Sequence, residues 1–162
     1  MTAGQEVVTV RGRWFDEFKV GQKYVTPSRT ITETDIVNFA SLSGDFNYPH
    51  SNHEYIKTSQ FSGPIAHGPL VYSIAGGLLY ASGLTQETVV ALLQIDGWRM
   101  LRPTMAGDTI RLESTVLETR PTSDGKRGVV TFQREIVNQD DVVAQEMTAR
   151  LLFRRDPALL GS

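Results

Sequence analysis

The sequence predicts an α+β fold in which an antiparallel sheet curls around one central helix. Two observations lead there. Four strand-like runs occupy residues 89–101, 109–120, 127–138 and 142–154. Just before them, residues 69–81 have helical apolar spacing and no charge. The chain has 162 residues, enough for one domain with a sizeable core. It carries no internal repeat, linker or low-complexity stretch, so residues 1–162 read as a single domain with a flexible polar tail over 1–12.

The strands come from period two. Ile110, Leu112 and Val116 alternate with Arg111, Glu113 and Thr115; Val130, Phe132 and Ile136 alternate with Thr131, Gln133 and Glu135. One apolar and one polar face mean antiparallel strands covering a core on one side. Ser123-Asp124-Gly125 and Asn138-Gln139-Asp140 read as hairpin connections.

The helix comes from Leu70, Val71, Ile74, Ala75, Leu78 and Leu79, with Gly68 expected at its N-cap, Pro69 at its first position and Gly83 past its end. A helix without charge on any side is buried, so the sheet is expected to wrap it completely.

Upstream, Val20-Gly21-Gln22 reads as a turn, and residues 24–31 as a strand interrupted at Pro27. Thr32 and Asp35 have capping-box spacing. Ile36, Phe39 and Ala40 then predict a short amphipathic helix that stops near Ser43-Gly44. From Asp45 to Gly68 the chain reads as loop, with one helical turn around 54–58. All three histidines, His50, His53 and His67, fall in this segment. Loops on a rigid scaffold are where function concentrates.

Composition removes several classes. Net charge is −2 with acids and bases intermixed, which argues against nucleic-acid and polybasic membrane-surface partners. The absence of cysteine excludes disulfides, thiolate catalysis and cysteine–zinc sites. Residues 1–13 lack the apolar core of a signal peptide and no run approaches a membrane span. A cytoplasmic location is the expectation.

The segment Asp45-Phe46-Asn47-Tyr48-Pro49-His50, with Phe61 and then Ile65-Ala66-His67-Gly68 before the helix, resembles the MaoC-like hydratases, the (R)-specific enoyl-CoA hydratases. Trp14-Phe15-Asp16, Asp96-Gly97-Trp98 and Gly107-Asp108 also fit, so the likeness covers nearly the whole chain. Two departures stand out. Tyr48-Pro49 replaces the usual proline followed by a variable residue, and Gly76 stands where some relatives carry a serine, with Ser73 one turn earlier.

The resemblance implies the hotdog fold and a homodimer or higher homo-oligomer. It implies addition of water across an enoyl thioester of coenzyme A or acyl carrier protein, giving an (R)-3-hydroxyacyl thioester, or the reverse dehydration. Asp45 and His50 would be the catalytic pair, Gly68 N–H the oxyanion donor, and Asn47, Tyr48, Phe61 and His67 pocket or orienting residues. No metal and no cofactor are implied, coenzyme A being part of the substrate.

The chemistry suits these residue types. Water must lose a proton as it attacks the β-carbon, and the α-carbon must gain one. A carboxylate and an imidazole on one water can do both near neutral pH. Charge on the thioester oxygen is met by an N–H at a helix start. Gly68 there would let the thioester approach closely.

Plainer roles stand beside these. Asp45 and Asn47 are also good turn formers, His67 is expected to brace the loop before Gly68, Trp98 to be core or interface, and Arg99 and Arg102 to lie on an exposed strand face. Three functional alternatives remain: a hotdog thioesterase, a non-catalytic acyl-thioester binder, and a dehydratase working on acyl carrier protein. Residues 69–81 contain no Asp or Glu, which counts against the thioesterase, whose carboxylate commonly sits on that helix.

Overall fold

The computed structural model describes residues 11–160. The expected tail lies mostly outside these residues; only Arg11 and Gly12 are described. Gly12 pairs its backbone N–H with the Gln86 carbonyl at 2.8 Å.

Six strands form the sheet: β1 (Lys23–Val25), β2 (Arg29–Thr30), β3 (Val89–Met100), β4 (Thr109–Pro121), β5 (Arg127–Val137) and β6 (Val143–Arg154). The order is β1-β4-β5-β6-β3, every pair antiparallel, with β2 also on β4. Pro27 divides β1 from β2, as its missing N–H predicts. β4–β5 and β5–β6 are the two expected hairpins.

The helices are α1 (Glu33–Ser43), α2 (Tyr48–Ser51), α3 (His53–Lys57) and α4 (Gly68–Ala81). Thr32 caps α1 in a reciprocal box with Asp35, and Gly44 closes it in the left-handed region at φ 78°. Segment 45–68 is more ordered than a loop. Pro49 sits in the first turn of α2, where its fixed φ favours helix and its missing N–H costs nothing. His50 is therefore on a helical turn.

The inner face of the sheet carries Val130, Phe132, Ile136, Met147, Ala149, Leu151 and Phe153, packed against Leu70, Val71, Ile74 and Leu78 of α4. Burying each of the larger of these side chains contributes roughly 1.5–3 kcal/mol. The wrap is one-sided, contrary to the expectation of complete burial. Pro69, Ser73, Gly76, Gly77 and Tyr80 of α4 remain exposed, because the sheet curls over one face of the helix only. A second correction concerns its start. The N-cap is His67, and Gly68 is the first helical residue, with the Val71 N–H donating to the His67 carbonyl.

β3 lies at the sheet edge, broken by three register shifts, and exposes Val90, Leu92, Leu93 and Met100. Among the described residues no helix is long and apolar enough to cross a membrane.

Candidate active site

Asp45 follows the left-handed Gly44, where the chain leaves α1, and its carboxylate is partly exposed. The Asn47 backbone N–H and the Asn47 Nδ2 both donate to Asp45 Oδ1, at 3.2 and 2.6 Å. Those two bonds, the backbone one foremost, hold the Asp45 carboxyl below its ordinary value, with smaller help from His67 and His50. Turn former and orienting residue are thus one role for Asn47.

His50 Nδ1 lies 2.7 Å from the Ile65 carbonyl. A carbonyl only accepts, so Nδ1 carries the proton and Nε2 presents a lone pair. His67 Nε2 lies 2.9 Å from the Asp45 carbonyl and is the donor by the same reasoning. His67 is 2% exposed, with its Nδ1 unpartnered among the described residues. It bonds the turn at Asp45 and stacks on the His50 ring at 3.7 Å. Asp45 Oδ2 stands 4.0 Å from His67 Nε2. One side-chain donor atom from each of Asp45, His50 and His67 falls within 4.8 Å of the others.

Those three residues are the described cluster that could hold a metal ion. The geometry fits one poorly. The two imidazole planes are only 23° from parallel, so their in-plane lone pairs run side by side instead of converging, and each ring already gives a nitrogen to a carbonyl. A tetrahedral ion also needs a fourth ligand.

A cleft of about 340 Å³ opens beside His50, lined by Phe61, Gly68, Met100 and Gln145 among others. The Ala66 N–H donates to the Thr104 carbonyl at 2.7 Å, pinning the approach to α4. Gly68 presents an N–H in the helix's first turn; Pro69, next, has none. A side chain on Gly68 would meet Met100 Cε at 2.6 Å. The contact is with the flexible, half-exposed end of Met100 of β3. Asp45, Asn47 and Tyr48 line a second groove, with Tyr55. Phe61 and Tyr48 thus face different openings.

Sequence reasoning missed Gln145. Its Nε2 donates to the Gly68 carbonyl at 3.0 Å, and its Oε1 accepts from Trp98 Nε1 at 2.9 Å. A signal existed: Gln145 holds an inward position in register with Met147, Ala149 and Leu151, where period two calls for an apolar residue. Trp98 packs against the core. Arg99 pairs with Glu146, and Arg102 is exposed.

Comparison with known proteins places this arrangement. The MaoC like domain matches residues 17–138. The protein MaoC of Klebsiella aerogenes is 38% identical over 103 residues, 64% of this chain; the match spans only 30% of that relative's length. The (R)-specific enoyl-CoA hydratase of Rhodospirillum rubrum is 32% identical over 120 residues, 74% of this chain and 78% of the relative. The solved structure of an Archaeoglobus protein described as a monoamine oxidase regulatory protein superposes with TM-score 0.83 at 36% identity, covering 93% of this chain and all of that one. A Mycobacterium tuberculosis protein with a double hotdog fold gives TM-score 0.83 at 22% identity, over 96% of this chain and 48% of its own. The fold is a hotdog.

Proposed function

Because the chain belongs to the MaoC like domain family, we propose that it adds water reversibly to a trans-2-enoyl thioester, giving an (R)-3-hydroxyacyl thioester. One observation carries this. An ionised carboxylate, held so by Asn47, and the His50 imidazole, with a ring nitrogen within 4.8 Å of a carboxylate oxygen, stand together beside the first turn of α4.

Water bound between Asp45 and His50 Nε2 has two acceptors. One of them takes its proton as the oxygen bonds to the β-carbon. The electron pair of the double bond moves to the α-carbon and thioester oxygen, where the Gly68 N–H opposes the developing charge. The proton then passes to the α-carbon, so H and OH add from the same side and no outside acid is consumed. Met100 and Phe61 limit water near the thioester. The chemistry needs neither metal nor redox cofactor; coenzyme A or acyl carrier protein is the substrate's handle.

The working unit is a homodimer. β3 leaves an edge of unpaired backbone groups beside apolar side chains, and α4 leaves one face open. Such an edge is a liability until covered.

The test is incubation with crotonyl-CoA while following enoyl absorbance and free thiol together. Absorbance falling to a partial equilibrium without thiol supports hydration. Thiol release matching substrate loss replaces it with thioester hydrolysis.

A further inference from the structure

We propose that Arg134 receives a carboxylate at the far end of the acyl group, so that the preferred substrate is a short dicarboxylic enoyl thioester. This deepens the hydratase reading and rests on it.

Arg134 stands in β5 opposite Ser114 of β4 and Met147 of β6. Its neighbours on the same face, Phe132 and Ile136, belong to the core under α4. Period two calls for an apolar residue at this position. Arg134 is instead buried to 4% exposure. Its Nε has no partner, and among the described residues no carboxylate lies within ion-pair distance. Its surroundings are the Tyr72 side chain of α4 and the Phe132 ring, 5.6 Å from the guanidinium carbon. Ser114 Oγ, across the ladder, is also buried without a partner.

A guanidinium does not shed its proton to escape burial. Burial pushes its pKa down, with the Tyr72 hydroxyl beside it opposing that shift. Natural cores do not keep an unpaired charge unless something repays it. An anion arriving with the ligand does so, and the planar fork matches a carboxylate on two bonds.

Position selects which anion. Tyr72 is one helical turn beyond Gly68, about 6 Å along the axis. On the sheet side, Gln145, which holds the Gly68 carbonyl, is two residues from Met147, the partner of Arg134; that is about 7 Å along the strand. Val71, the neighbour of Tyr72, and Gln145 already line the cleft beside His50, so Arg134 lies about one helical turn beyond that cleft. In a four-carbon enoyl diacid the terminal carboxyl carbon lies about 4 Å from the thioester carbon. A hydrogen bond of about 2.8 Å then spans the remainder. A long alkyl chain would press methylenes against the cation instead.

The experiment compares fumaryl-CoA with crotonyl-CoA, which differ in having a carboxylate or a methyl at that end. In parallel, calorimetry compares the saturated succinyl-CoA and butyryl-CoA. The intact protein is expected to favour fumaryl-CoA by about 10²–10⁴ in kcat/KM, and succinyl-CoA by a similar ratio in Kd. Arg134→Met should bring both ratios to near one, and Tyr72→Phe should lower them about tenfold. If Arg134→Met does not fold, Arg134→Lys replaces it; losing the fork should still lower both ratios. Equal handling of the members of each pair by the intact protein overturns the proposal, as does an Arg134→Met that slows both enoyl substrates alike. If nothing is hydrated yet succinyl-CoA binds tightly through Arg134, the carboxylate site stands and the hydratase reading falls.

Discussion

His50 and His67 lie face to face, ring centroids 3.7 Å apart, and each gives one ring nitrogen to a backbone carbonyl. The carbonyls belong to Ile65 and Asp45, so the two rings tie the start of α4 to the turn that bears the carboxylate. The Ile65 carbonyl takes His50 Nδ1, which leaves Nε2 as the nitrogen without a backbone partner. His67 shapes the site without needing to reach substrate.

Asp45→Asn and His50→Ala should each lower hydration of enoyl thioesters by about 10²–10⁴. The double variant should be little worse than the poorer single one, because the two act on one water. Both side chains lie outside the hydrophobic core, so far-UV circular dichroism should stay near the parent, and only His50→Ala should lower Tm modestly, through loss of its bond to the Ile65 carbonyl and its stacking on His67. A folded single variant with near-normal kcat/KM would sink the assignment.

Asn47→Ala should raise the Asp45 pKa toward 3.8, since one of the two Asn47 donors that depress it is removed. The sign follows from linkage. A carboxyl with a depressed folded-state value adds stability above its unfolded pKa and loses it as pH falls through the folded value. Without the Asn47 side chain that loss, and the acid limb of kcat/KM, should begin at higher pH. Carbon-13 NMR titration of the Asp45 carboxyl reads the shift directly; an unchanged midpoint would show that the backbone bond alone sets it.

Gly68→Ala should cost about 1 kcal/mol through overpacking, because the new methyl meets the end of Met100. Met100 is half exposed and can give way. Adding Met100→Ala should recover the Tm of Gly68→Ala. Failure to recover would mean that the backbone, and not Met100, demands glycine.

Light scattering at micromolar concentration should give about twice the 18.0 kDa chain mass. Leu93→Lys on β3 should weaken that association by placing a charge at an apolar edge. A single-chain mass for the parent protein would contradict the dimer.

Chelator should leave the rate unchanged, since the stacked imidazoles of His50 and His67 do not converge on one ion. Loss of activity with EDTA, restored by zinc, would recast Asp45, His50 and His67 as a metal centre.

Much of the fold is legible locally. Period two placed β4, β5 and β6 to within a residue or two, the Thr32–Asp35 spacing and Gly44 bounded α1, and Pro27 divided β1 from β2, because these signals act between near neighbours. The Asp45-to-His50 spacing singled out the turn for the same reason. Other features depend on residues far apart in sequence. Pro49, read as part of a loop, sits in a helical turn packed beside α1, its carbonyl accepting from the Ile65 N–H. The crowding at Gly68 comes from the Met100 side chain, the stacking of His50 on His67 from the return of the chain to α4, and the tether at Gly68 from Gln145. The open face of α4 and the lone cation of Arg134 are likewise decided by which strand covers which side of the helix. Periodicity shows that a residue points inward; only packing of distant segments determines what it meets there.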